Sequence, residues 1–172
     1  TNATADMTWA LILGIASRVV EGDKLTRAGG FTGWAPLFFL GTEVTGKTLG
    51  IFGMGNIGKA VARRAKGFDM KVIYNSRTRL SVEEETSLGI TYVSLEELLN
   101  DSDFLTLHSS YSPELHHLIG EKELRQMKSS AFLINAARGP IIDEVALAEV
   151  LKNKVIAGAG LDVYEFEPKV AE

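Results

Sequence analysis

The chain has 172 residues, 45% of them hydrophobic and 23% charged, which is the material of one ordered globular domain and excludes a disordered segment. Eighteen basic against 22 acidic residues leave a net charge of -4, so there is no electrostatic footprint for nucleic acid or an anionic membrane. Without cysteine, neither a disulfide framework nor a thiolate metal site can form, and no other metal site is expected. The most apolar stretch, residues 9–16, falls far short of the roughly 20 residues of a membrane span. No segment reads as a signal peptide, and a cytoplasmic location is expected.

Residues 4–27 are predicted to form one long helix, capped by Thr4 or Asn2 and ended by Gly29 and Gly30. Its first half carries Met7, Trp9, Ala10, Leu11, Ile12, Leu13, Ile15 and Ala16, which leave almost no polar face. Such a helix must be covered on more than one side. Residues 31–42 place Trp34, Leu37, Phe38, Phe39 and Leu40 around Pro36, too apolar a set for a solvated loop. They pack either on the chain's own core or at a subunit or domain interface, and the interface is the favoured reading.

From Gly46 onward strands and helices alternate. Strands are predicted at 48–53, 71–74, 103–107, 131–135 and 156–161, and helices at 56–67, 94–99, 121–127 and 143–153. Ser94 with Glu97 forms a capping-box pattern, and Asp143 caps the last helix. Alternation of this kind implies right-handed crossovers and a parallel, doubly wound α/β sheet, with ligands at the carboxyl ends of the strands. Residues 1–42 are therefore read as a helical arm and 43–172 as the core of a dinucleotide-binding domain.

Within residues 49–58 a strand runs into Gly53-Met54-Gly55-Asn56-Ile57-Gly58 and then a helix, the Gly-x-Gly-x-x-Gly arrangement. Gly53 permits the tight turn, Gly55 lets backbone approach a pyrophosphate, and Gly58 allows close packing of helix on strand. Free N–H groups at the helix start hold the phosphate charge. About 20 residues on, an acidic residue would bind the adenosine ribose. Here the second strand ends in Asn75-Ser76-Arg77-Thr78-Arg79, without a carboxylate. Ser76, Arg77 and Thr78 suit a 2′-phosphate, so NADP(H) is the expected cofactor, with NAD(H) as the alternative.

Asn135-Ala136-Ala137-Arg138-Gly139-Pro140 follows another strand, which places Arg138 over the crevice, able to clamp a carboxylate. The final strand leads into Gly160-Leu161-Asp162-Val163-Tyr164-Glu165-Phe166-Glu167-Pro168 and delivers Asp162 and Glu167 to the same edge. With the glycine loop, these two stretches resemble the D-isomer-specific 2-hydroxyacid dehydrogenases along essentially the whole chain, most of all the glyoxylate and hydroxypyruvate reductase branch. The resemblance implies a Rossmann-type fold and hydride transfer between nicotinamide and a small 2-keto or D-2-hydroxy acid. It gives Arg138 the substrate's carboxylate and carbonyl, Glu167 the role of partner to a proton-donating histidine, and Asp162 the nicotinamide carboxamide. Ala136 and Ala137 then approach the nicotinamide through backbone, and His108 contacts the adenosine half. It also implies a homodimer paired through residues 1–42.

Two features depart from the pattern. The family's histidine is expected beyond Glu167, and its substrate domain flanks this stretch; the 172 residues contain neither, so the chain reads as part of a larger enzyme and is expected to be inactive alone. His108, His116 and His117 do not match that histidine and read as structural or cofactor-lining. Ser109-Ser110-Tyr111 stands where many relatives carry proline. Two other functions use the same domain, a nucleotide-sensing corepressor and a dehydrogenase acting on formate or phosphonate. Arg138 and Glu167 favour an enzyme over the corepressor, while the choice among the dehydrogenases belongs to the substrate domain.

Overall fold

The computed structural model describes residues 1–170. In chain order the elements are α1 (Asn2–Ala16), α2 (Val19–Arg27), β1 (Thr48–Phe52), α3 (Asn56–Ala65), β2 (Lys71–Asn75), α4 (Val82–Leu88), β3 (Ile90–Tyr92), α5 (Leu95–Asp101), β4 (Phe104–Leu107), α6 (Glu121–Leu124), β5 (Phe132–Asn135), α7 (Glu144–Lys152) and β6 (Gly158–Leu161). The strands form one parallel sheet in the order β3-β2-β1-β4-β5-β6. The order reverses between β1 and β4, and that switch point opens a crevice at the strands' carboxyl ends.

Strands covered on both faces are apolar throughout. Every residue of β4 and β5 is buried. On one face Trp9, Ile12, Val61 and Ala65 from α1 and α3 pack on Leu49, Ile51 and Ile134. On the other, Leu98, Leu124 and Leu147 from α5, α6 and α7 pack on Leu105 and Leu133. Glycines in β6 let α1 lie close: a Cβ at Gly158 would stand 2.9 Å from Ile15, and one at Gly160 3.2 Å from Leu11.

The predicted helix over 4–27 is two helices. Arg18 adopts left-handed φ of 55° and the axes bend by 58°. The Arg18 guanidinium donates to Glu21 at 2.9 Å and to the Leu40 carbonyl at 3.3 Å, and lies 4.1 Å over the Phe39 ring. These contacts hold a conformation that costs a β-carbon-bearing residue roughly 1 kcal/mol. The first helix starts at Asn2 with Thr1 as its cap and no side-chain cap bond, so neither Asn2 nor Thr4 caps it; the second ends at Arg27, ahead of Gly29. No single helix among the described residues is long and apolar enough to cross a membrane. Two elements, α4 and β3, carry no sequence prediction. The helix is acidic on its surface with one buried Glu85, and the strand is a three-residue edge strand, so neither shows a hydrophobic period.

Beyond α2, Phe31, Trp34, Leu37 and Leu40 are exposed, Trp34 and Leu37 at 82% each. Phe39 departs from this set, turned inward against Arg18 and Gly22.

The turn from β1 to α3 is fixed by contact. Gly53 has φ of +95°, and a Cβ there would meet the Ser109 backbone nitrogen at 2.6 Å. A Cβ at Gly58 would lie 2.3 Å from the Gly53 carbonyl oxygen, whereas one at Gly55 would meet nothing within 4 Å. Gly58→Ala is therefore expected to lower unfolding free energy by roughly 1–3 kcal/mol, the usual cost of overpacking. Gly55→Ala is expected to stay within about 1 kcal/mol of the parent, the small difference between glycine and alanine at a helix cap. Urea denaturation of the two variants measures the contrast.

Candidate cofactor and active site

Each predicted site residue stands at the carboxyl edge of the sheet or in the loop leaving it. Gly53 to Gly58 follow β1, Ser76 to Thr78 follow β2, His108 follows β4, Ala136 to Arg138 follow β5, and Asp162 follows β6. Backbone pairing continues past the strand ends and ties these loops together. Gly53 donates to the Asn75 carbonyl at 2.8 Å, His108 to Phe52 at 2.7 Å, and Asp162 to Asn135 at 2.9 Å.

The start of α3 is built differently from those of α4, α5 and α7. Ser81, Ser94 and Asp143 accept from the first turns of α4, α5 and α7, so those helices satisfy their own N–H groups. The cap of α3 is Gly55, which has no side chain to do so. Its first N–H groups and the positive end of its dipole face open space above Gly55. Exposed Asn56 and half-buried Ile57 follow, while Met54 is buried beneath the loop. The residues fit a pyrophosphate, since the space a Cβ would fill at Gly55 is free of protein atoms.

At the end of β2, Asn75 donates to the Val93 carbonyl at 2.8 Å and Ser76 Oγ to the Thr78 carbonyl at 2.6 Å. Arg77 is exposed and forms no hydrogen bond or ion pair among the described residues. Arg79 is engaged, donating from Nε and Nη2 to Glu85 at 2.8 and 2.9 Å.

His108 is 9% exposed; its Nε2 lies 2.9 Å from Thr106 Oγ1 and its Nδ1 has no partner among the described residues. Burial pushes the imidazole down to about 4, so at neutral pH it is uncharged.

Asn135 is a positioning residue that sequence reasoning quoted without assigning a role. It is buried at the end of β5, accepts from the Ala137 N–H at 3.0 Å and donates to the Arg138 carbonyl at 3.0 Å. That closed turn presents Arg138 outward, its guanidinium donating to the Ala137 carbonyl at 2.6 Å. An asparagine leaving a strand and followed by small residues is the available signal. Opposite lies the loop after β6. Glu167 is exposed and accepts from the Tyr164 N–H at 3.0 Å, and no histidine among the described residues contacts it.

The histidines at 116 and 117 serve the loop itself. His117 Nε2 lies 2.9–3.0 Å from both Glu165 oxygens, while its backbone donates to Pro140 at 2.9 Å. Glu144, buried at the start of α7, accepts from the Glu165 N–H. Ligand atoms of His116, His117 and Glu165 lie within 4.8 Å of one another, a spacing open to a metal ion. The two rings, however, stack at 4.0 Å and 18°, so their in-plane lone pairs run side by side instead of converging. The cluster reads better as a brace joining the turn after Arg138 to the loop that carries Glu167.

Comparison with known proteins bears on what this edge holds. The family described as D-isomer specific 2-hydroxyacid dehydrogenase, NAD binding domain, matches residues 9–172. A Staphylococcus aureus protein provisionally named a 2-hydroxyacid dehydrogenase is 56% identical over all 172 residues, which span 54% of its length. The glyoxylate reductase of Paecilomyes thermophila is 45% identical, with a TM-score of 0.89 over 98% of this chain and 50% of that one. The D-lactate dehydrogenase of Aquifex aeolicus, solved with NAD and lactic acid, is 34% identical, with a TM-score of 0.86 over 94% of this chain and 47% of that one. The chain spans about half the length of these relatives. It belongs to the D-isomer-specific 2-hydroxyacid dehydrogenase family, whose Rossmann-type, NAD-binding domain it forms.

Proposed function

We propose that this domain selects NADP(H), and that it serves an enzyme moving hydride between nicotinamide and a small 2-keto or D-2-hydroxy acid, with glyoxylate or hydroxypyruvate as substrate. The observation that carries the cofactor choice is the carboxyl end of β2, where Ser76, Arg77 and Thr78 stand in place of a ribose-binding carboxylate and Arg77 is exposed. A guanidinium and hydroxyls pair with a 2′-phosphate, whereas an acidic residue there would repel it. NAD(H) is the second candidate, because the family's domain binds it. The substrate class rests on the likeness to the fungal glyoxylate reductase.

A nicotinamide held at this edge would supply or accept the hydride. Arg138 holds the substrate's carboxylate and stabilises negative charge on the carbonyl oxygen. Glu167 is assigned to keep the proton-donating histidine of the whole protein charged, which favours proton transfer to that oxygen. Asp162 and the backbone at Ala136 and Ala137 hold the nicotinamide end, and His108, neutral at working pH, lines the adenosine half without adding charge.

A second copy of the chain is assigned to the apolar surface beyond α2. Phe31, Trp34, Pro36 and Phe38 line a groove there, and a two-fold contact would bury the patch on both copies at once.

Calorimetric titration is expected to give tighter binding of NADPH than of NADH; equal affinities, or tighter NADH, contradict the cofactor assignment. Arg77→Ala is expected to weaken NADPH by about 1.5–3 kcal/mol, as for a hydrogen bond to a charged group, and to leave NADH nearly unchanged. Gly55→Ala is expected to weaken both cofactors at least tenfold, by filling the space above the helix start. For assembly, light scattering across a dilution series is expected to show a dimer at micromolar concentration that Trp34→Ser with Phe38→Ser dissociates. A stable monomer of the parent chain contradicts that surface.

A further inference from the structure

The loop from Ser76 to Leu80 carries two arginines, and the structure gives them different surroundings. Arg77 is exposed and unpaired among the described residues. Arg79 makes a forked pair with Glu85 of α4, and its guanidinium stands 5.2 Å over the Tyr92 ring of β3. Tyr74, fully buried in β2, donates its hydroxyl to the same carboxylate at 2.7 Å and accepts from the Leu80 N–H at 2.9 Å. Tyr74 and Tyr92 meet edge to face at 5.4 Å. One carboxylate thus gathers both ends of the loop, Tyr74 where it leaves the sheet and Arg79 where it turns toward α4.

We propose that Glu85 is a positioning residue: with Tyr74 it holds Arg79 as a brace of the loop that carries the cofactor-binding residues, leaving Arg77 as the cation that distinguishes NADP(H) from NAD(H). This rests on the cofactor assignment made above. If Arg79 left to meet a phosphate, Glu85, only 8% exposed, would keep Tyr74 as its one remaining side-chain donor. A nearly buried carboxylate stripped of its cation is strongly disfavoured. The Arg79 guanidinium, with the Tyr74 hydroxyl second, holds the Glu85 carboxyl down at about 2, so the brace is charged at neutral pH. The fork and the aromatic face beneath it fix the guanidinium plane as well as its position. Arg77 has neither constraint. The Glu114 carboxyl in the loop after β4 is held low first by the Ser112 hydroxyl and by its own backbone N–H, with the charge of Arg77 the smallest contribution.

The test is calorimetric titration of the 172-residue chain with NADPH and with NADH, in the parent and in Arg77→Ala, Arg79→Ala and Glu85→Gln. A brace serves both cofactors alike. Arg79→Ala and Glu85→Gln are therefore expected to weaken NADPH and NADH by the same factor, threefold or more, leaving their ratio within twofold of the parent's. Arg77→Ala is expected to lower that ratio tenfold or more. The proposal is overturned if Arg79→Ala lowers the ratio as Arg77→Ala does, if Glu85→Gln tightens NADPH alone, or if both brace variants leave both affinities unchanged. Should either single variant not fold, the double variant Arg79→Ala with Glu85→Gln is read in the same way, because it removes the cation and the carboxylate charge together and the Arg79 side chain is 57% exposed. A parent that does not discriminate between the cofactors overturns the cofactor assignment instead, and the joint loss in the brace variants still judges the brace.

Discussion

Everything at the functional edge depends on how closely α3 approaches β1. The approach is set by a contact with no room for a side chain, Gly58 against the Gly53 carbonyl, and by Gly53 pressed on the backbone at His108 and Ser109. The first contact aims the start of α3 at the crevice. The second links the β1 loop to the loop after β4, across the point where strand order reverses. Because neighbouring strands are parallel and in fixed register, each remaining loop then leaves the sheet at a determined place along the same edge.

The site built on that frame separates two kinds of work. Open positions meet ligand: the space above Gly55, the exposed guanidiniums of Arg77 and Arg138, and the exposed carboxylates of Asp162 and Glu167. Held positions keep the open ones in place. Asn135 closes the turn before Arg138, His117 and Glu144 grip Glu165 two residues before Glu167, and Glu85 grips Arg79 two residues after Arg77. In each case a residue held by side-chain hydrogen bonds stands close in sequence to one whose side chain is exposed. Rigid support for the contacting groups limits what must be ordered when cofactor arrives.

Most of this was legible in the sequence wherever a residue's role is local. The glycine loop, the five long strands and the capping residues Ser94 and Asp143 follow from backbone geometry and short-range hydrogen bonding. The break at Arg18 was hidden, because it depends on Leu40 and Phe39, more than 20 residues away. The helix and edge strand between Ser81 and Tyr92 were hidden as well. Short elements at a sheet's edge bury one or two residues each and leave no hydrophobic period to find. The brace between His117 and Glu165 was illegible for the same reason as Arg18, since it joins residues 48 apart. Arginines 77 and 79 looked alike in the sequence, and only the fold separates the free one from the paired one.

The central claim is that the carboxyl end of β2 receives a 2′-phosphate on Arg77. A crystal structure of the chain with NADPH tests it most directly. The account predicts the pyrophosphate on the first N–H groups of α3, the 2′-phosphate on Arg77 with Ser76 and Thr78, and Arg79 still forked on Glu85. A 2′-phosphate left in solvent away from Arg77, or one held by an Arg79 that has abandoned Glu85, would contradict it.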